Sequence, residues 1–347
     1  MWTSPTPRPS PAPKPRAFCS LVFALAFSSG YGVNRMMTDL NRREFLKRAG
    51  LPLAAAGAGW GASDGLKIAL NAYSFNTLLN DRIKGRAEGV TLVQVLEFAA
   101  RLKFEGFDAT AYYFPGYPKV PPDSFIAMLK RRAADLGVGI SGTGVRNHFT
   151  TSDKTVRAES VRHIQQFTEV AAKLGAPVIR VFADTQMRSE NWQTVSGGAS
   201  REEVQKWIAE ALRECADYAR KFRVKIGVQN HGDFLKTAQD VMALVKAVGS
   251  EWCGPIVDTG YFRSADPYAD IALVAPHAVN WQIKQTLVLG SQEAPMDLER
   301  LARIIRESGY RGYLPIETLG SRGQTYDPFT VVPQFLRQFR EALARTI

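Results

Sequence analysis

From Leu66 onward, short apolar runs alternate with longer segments whose apolar residues recur every three or four positions. The first pattern is that of a buried strand, the second that of a helix with one face on a core. The strand-like runs are LKIALNAYSF, EGFDATAYYF, VGISGTGVRNHF, APVIRVFAD, RVKIGVQNH, GPIVDTGYF, VNWQIKQ and RGYLPIETLG. The helical ones are TLVQVLEFAARLKF, DSFIAMLKRRAADLG, TVRAESVRHIQQFTEVAAKLGA, REEVQKWIAEALRECADYARKF, TAQDVMALVKAVG, PYADIALVAP, DLERLARIIRESG and FTVVPQFLRQFREALA. Val161, Ile164, Phe167 and Val170 illustrate the helical spacing. Gly106, Gly137, Gly175 and Gly309 each fall between a helical stretch and the next strand, where a left-handed cap is expected. Eight strand–helix pairs in about 280 residues predict an α/β fold, a single (β/α)8 TIM barrel over residues 66–347.

The runs near 222–231, 254–260, 279–285 and 311–318 each end in polar residues. A β/α barrel carries its chemistry at the carboxyl ends of its strands. Alternate residues of a strand share a face, which puts Gln229 with His231, Asn280 with Gln282 and Lys284, and Arg180 with Asp184. Asp258 ends the sixth strand and Glu317 the eighth. Inward polar groups that converge near the barrel axis need a metal, a substrate or one another. Residues 186–200 form the longest polar loop of the body, and its place after strand four suits a lid or a plain surface loop.

Composition changes this picture mainly at the amino terminus. The net charge is +11, but eight basic and two acidic residues lie in 1–62, so the extension carries +6 of it. The remaining surplus is explained by solubility, and no nucleic-acid partner is expected. Cys19, Cys215 and Cys253 show no CxxC spacing, which argues against a disulfide framework or a zinc ribbon. Residues 41–59 place Arg42 and Arg43 before a short apolar stretch, the pattern of a twin-arginine export signal. The protein is therefore expected in the periplasm or otherwise exported, with no stable membrane insertion after processing. A Pro-rich tract and an apolar piece precede the signal, so translation is expected to start at Met36 or Met37, with a membrane tether as the alternative.

Asn230-His231-Gly232, Asp258-Thr259-Gly260, Ile283-Lys284, and Gly309 to Gly312 with Tyr313, Ile316 and Glu317 occur in this order. With them, residues 66–345 resemble the xylose isomerase-like sugar isomerase and epimerase barrels. The resemblance implies a small sugar substrate, and homo-oligomers are compatible with it. It also implies a divalent ion, Mn or Mg, held by Glu, Asp, His and Glu from strands five to eight. At those positions this chain has Gln229, Asp258, Gln282 and Glu317, so two ligands match and two are amides. A neutral amide oxygen suits a hard cation, but Gln229 cannot accept a proton.

On this reading Glu317, Lys284 and His231 are the catalytic candidates, for an isomerase, an epimerase or a related lyase on an oxidised sugar. Arg180, His148, Asn71, Tyr73 and Tyr112, with Tyr113 beside it, are placed to bind the substrate. The alternatives are a metal-free Schiff-base enzyme using Lys284 and a sugar-binding barrel without catalysis. Each residue also has a structural reading. Asp258 could cap a turn, Lys284 and Glu317 could form a buried bridge, and the histidines could be scaffold. An endonuclease relative is disfavoured, because four histidines are too few for a multi-zinc cluster.

Overall fold

Along the strands, alternate residues face outward to the helices or inward to the barrel axis, where glycine, tyrosine and polar residues are joined by Val178 and Ile256. A computed structural model describes residues 65–186, 191–320 and 325–346. The expected extension and export signal therefore lie outside the described residues. On β1 (Leu66–Asn71), Leu66, Ile68 and Leu70 join the hydrophobic core, while Lys67, Ala69 and Asn71 alternate with them. β10 (Gly312–Glu317) pairs with β1 in parallel, with Lys67 opposite Tyr313 and Ala69 opposite Pro315. This pairing closes the barrel.

The intervening staves are β2 (Gly106–Asp108), β3 (Gly139–Gly144), β4 (Val178–Phe182), β5 (Lys225–Gln229), β6 (Cys253–Asp258) and β7 (Asn280–Lys284). Each pairs in parallel with its sequence neighbour, so all eight carboxyl ends open on one side. The (β/α)8 expectation is borne out.

The helices cover the aliphatic outer faces. The longest are α4 (Lys154–Leu174), α6 (Arg201–Arg220) and α10 (Pro328–Arg345) in chain order. Val161, Ile164, Phe167 and Val170 of α4 are buried, as their spacing requires. Asp153 and Ser200 cap α4 and α6 through their side-chain oxygens, which fixes where each helix begins. No helix among the described residues is long and apolar enough to cross a membrane.

Three local expectations change. Gly137, Gly175 and Gly309 do adopt positive φ, but Gly106 does not; it is the first residue of β2. Strand five ends at Gln229, which leaves His231 in the following turn. After β7 an unforeseen hairpin, β8 (Thr286–Leu289) with β9 (Gln292–Pro295), precedes the next helix. Of the polar loop, residues 187–190 lie outside the described residues. Its flanks are tied down by one side chain: Asp233 accepts from the backbone N–H of Thr185 at 2.9 Å and of Trp192 at 2.6 Å.

The amino-terminal end of the barrel is closed by the Tyr313 ring. A methyl group on Gly106 would stand 2.6 Å from that ring, and one on Gly139 would stand 2.1 Å from its hydroxyl. Glycine at these inward positions is therefore a packing requirement. Gly139→Ala should destabilise the fold by about 1–3 kcal/mol, the usual cost of overpacking. Adding Tyr313→Phe, which removes the crowding oxygen, should recover most of that loss in chemical-denaturation midpoints.

Candidate functional site

The mouth of the barrel collects eight polar side chains, one or two from almost every stave. They are Asn71, Asp108, Arg180, Gln229, Asp258, Gln282, Lys284 and Glu317, none more than 6% exposed. Burial of so many charges is tolerable only if they satisfy one another or a ligand. The parallel register explains the convergence: Asp258 lies opposite Gln282, and Glu317 opposite Lys284, on adjacent strands.

Lys284 is the hub. Its ammonium donates a short hydrogen bond to Glu317 Oε1 and lies 3.6 Å from Asp258 Oδ2. Burial opposes the charge on Lys284, but Asp258 and Glu317 outweigh it and raise its pKa above the ordinary lysine value. Asp258 also accepts from Gly260 N at 3.1 Å and from the Gln229 amide nitrogen. Asn230 holds the backbone of Asp258 from both sides, through bonds of 2.8 and 3.0 Å. Burial pushes the Asp258 carboxyl up to about 6, with Lys284 pulling it down and Glu317 pushing it up.

The orientation of each amide follows from groups that cannot reverse. The backbone N–H of Tyr73 donates to Asn71 Oδ1 at 2.8 Å, so Asn71 Nδ2 must point the other way. It donates to Gln282 Oε1 at 2.7 Å and to Glu317 Oε2 at 2.9 Å. Gln282 therefore spends its oxygen on Asn71, and its buried Nε2 is left on the side of Asp108, whose charge it favours. Likewise Arg180, a donor only, gives Nη1–H to Gln229 Oε1 at 3.1 Å, which turns the Gln229 amide nitrogen toward Asp258.

Asp108, at the end of β2, belongs to the same ring. Thr110 Oγ1 bridges it to Asn71, donating within 3.3 Å of Asp108 Oδ1 and 3.1 Å of Asn71 Oδ1. Burial pushes the Asp108 carboxyl up to about 6; Arg180 lowers it, Glu317 raises it, and Gln282 and Thr110 also favour its charge. Arg180 fills the space that Gly144 leaves: a methyl there would meet its guanidinium at 2.7 Å. The guanidinium lies 5.5 Å from the Tyr112 ring centroid, and Arg146 lies 5.0 Å from that same centroid. Arg180 Nε is buried without a partner.

The structure thus brings together seven of the expected residues: Asn71, Arg180, Gln229, Asp258, Gln282, Lys284 and Glu317. Tyr112 flanks Arg180, and Tyr73 packs edge-on against Tyr112 at 6.3 Å. His231 stands beside the ring, stacked on Tyr261 at 4.1 Å, and Tyr261 in turn faces Lys284 at 5.5 Å. Burial, Lys284 and Arg180 hold the imidazole well below its usual pKa. His148 lies in the loop after β3, where its backbone N–H donates to Ser160 and its Nδ1 is buried unpartnered. Asp184, on the expected face with Arg180, instead accepts from the backbone of His231, Phe234 and Leu235 and organises that turn. Asp108 is the residue missed in the sequence. Its signal was the lone aspartate within the second strand-like run, a segment otherwise read for its tyrosines.

The donor set does not fit a divalent ion held as the resemblance implies. Among the described residues no three His, Cys, Asp or Glu side chains are grouped to hold one. The expected ligands Gln229 and Gln282 have their oxygens committed to Arg180 and Asn71, and the Asp258–Glu317 pair already contains an ammonium. Inverting either amide would set donor against donor.

Comparison with known proteins agrees with the barrel. No curated protein matches this sequence. Among solved structures, a D-psicose 3-epimerase with D-tagatose, from Clostridium cellulolyticum H10, is 15% identical with a TM-score of 0.63, over 80% of this chain and 99% of that one. The 3-keto-D-glucoside 4-epimerase of E. coli is 13% identical with a TM-score of 0.60, over 80% and 99%. A xylose isomerase-like barrel protein from Mycobacterium smegmatis, in complex with magnesium, is 19% identical with a TM-score of 0.59, over 81% and 97%. At such identities the likeness concerns the fold. The family model for the xylose isomerase-like TIM barrel matches residues 96–342, most of the chain, and the protein belongs to that family.

Proposed function

We propose that this barrel is a carbohydrate isomerase or epimerase that moves a proton on a carbon next to a carbonyl. The observation that carries the proposal is the buried ring at the mouth, where three carboxylates face two fixed cations. Sugar epimerases among the structural neighbours support the substrate class. The export signal read in residues 41–59 favours a free sugar or glycoside over a sugar phosphate, which is mainly a cytoplasmic metabolite.

In this proposal Glu317 takes the proton from carbon, and the bonding pair moves onto the carbonyl oxygen to give an enediolate. Lys284 and Arg180 face the developing negative charge as fixed donors, which stabilises it without reorganisation. Proton return falls to Asp108, because Gln229 cannot carry a proton and His231 is held neutral. Its raised pKa leaves Asp108 a neutral acid below about 6 and a carboxylate above. Asn71 separates Glu317 from Asp108 and hydrogen-bonds the former directly. The arrangement speaks against Lys284 as a Schiff-base nucleophile. That chemistry needs a free amine, and Asp258 with Glu317 favours the ammonium.

A panel of ketoses and keto-glycosides, assayed by exchange of solvent deuterium into substrate, tests the reading. Glu317→Gln and Asp108→Asn should each lower exchange by about 10²–10⁴-fold, the usual contribution of a positioned acid or base. Sugar binding without exchange by the wild-type protein would instead support a barrel that binds and does not turn over.

The pH dependence carries a definite sign. With Asp108 as proton donor, turnover should fall as pH rises through about 6, and Asp108→Asn should remove that limb. Lys284→Met, which leaves two buried carboxylates without their cation, should cost about 3–5 kcal/mol in denaturation experiments near neutral pH.

A further inference from the structure

We infer that the mouth of this barrel is metal-independent, with the Lys284 ammonium as its resident cation. Three separate features place positive charge or an N–H group where a metal site would need an oxygen. Lys284 Nζ lies between Asp258 and Glu317, bonded to one and 3.6 Å from the other. Gln229 turns its amide nitrogen to Asp258, because Arg180 can only donate to its oxygen. Gln282 turns its amide nitrogen inward, because Asn71, itself fixed by the Tyr73 N–H, takes its oxygen.

These features reinforce one another. Seating an ion between Asp258 and Glu317 would expel Lys284 from a buried position and leave its ammonium to find another partner. Recruiting the Gln282 oxygen would turn its NH2 onto Asn71 Nδ2, and recruiting the Gln229 oxygen would turn its NH2 onto Arg180. Each inversion trades a hydrogen bond for a buried donor–donor contact. Asn71 donates to the second oxygen of Glu317 at 2.9 Å, so each oxygen of that carboxylate already accepts from an N–H donor with which an ion would compete. Lys284 also contacts the Tyr261 ring at 5.5 Å, and an aromatic face favours a cation in the position it already holds. The role usually given to a bound ion, a fixed positive charge facing the substrate oxygens, is filled here by the chain itself.

The inference concerns the same site as the isomerase proposal, but its test reads bound metal and not turnover, so the two can fail separately. The full-length protein would be stripped with EDTA and dialysed against Mn²⁺. Bound ion would be counted by electron paramagnetic resonance, and the unfolding temperature compared in Mn²⁺ and in EDTA. The expected result is no stoichiometric binding at millimolar Mn²⁺ and no shift in unfolding temperature. Mn²⁺ that remains bound to Asp258→Asn and Glu317→Gln lies elsewhere and leaves the inference standing. An equivalent of Mn²⁺ on the wild type that both variants lose would overturn it.

A gain-of-binding variant gives the converse. Gln229→Glu, Gln282→His and Lys284→Met together should raise Mn²⁺ affinity by about a hundredfold, since they exchange two donors and a cation for metal ligands. A triple variant that folds by circular dichroism but binds Mn²⁺ no better than wild type would overturn the inference. If it does not fold, the wild-type measurement decides alone.

Discussion

The contact on which the site depends is the ammonium of Lys284 between two buried carboxylates. Asp258 and Glu317 are nearly inaccessible to solvent, and two like charges in so dry a place would repel each other strongly. A single cation shared between them removes that cost. Once Lys284 is placed, the remaining polar groups have little freedom. Asn71 donates to the other oxygen of Glu317, Gln229 to the Asp258 oxygen that faces Lys284 and the Gly260 N–H to the second one, and both amides are oriented by a donor on their far side. Side chains held by several donors of fixed direction have little freedom to turn, and that is what a site needs if its charges are to act on a substrate without rearranging.

The barrel makes this network affordable by thinning its own wall. Gly142, Gly144 and Gly260 have no side chains where Asp108 with Asn280, Arg180 and Lys284 respectively pass close to the backbone. At the opposite end, Gly106 and Gly139 make the same kind of room for Tyr313. The inner surface is therefore divided along the barrel axis, with a plug at the amino-terminal end and a charged ring at the carboxyl end. The outer aliphatic faces are left to carry the helices. The two jobs do not compete, because a strand shows alternate residues to alternate sides.

What this chain shares with its structural neighbours is the scaffold. The neighbouring epimerases share the overall chain path over most of this chain. In this chain the amide at 229 turns its N–H to Asp258, and the amide at 282 gives its oxygen to Asn71. Arg180 and Lys284 supply two cations in compensation, and Asp108 supplies a carboxylate from a strand outside the usual quartet. On the proposed function, these cations are what would meet negative charge on a substrate oxygen.

Much of this was open to inspection before folding was considered. Alternation of period two and period near four announced eight strand–helix units, since burial of one face leaves that trace in any amphipathic element. Asp258, Lys284 and Glu317 stood out because strand ends in such a barrel share one mouth. Asp108 did not stand out, because β2 is only three residues long and gives no periodicity to point its side chain inward. The hairpin of β8 and β9 was equally silent, because its strands are four residues each and only Leu287 among them is buried. Sequence alone determined the barrel and the chemistry of its rim, through periodicity and residue type. Only tertiary structure decided which way each amide points and which cation lies between the acids, because hydrogen-bond direction depends on neighbours brought together from distant strands.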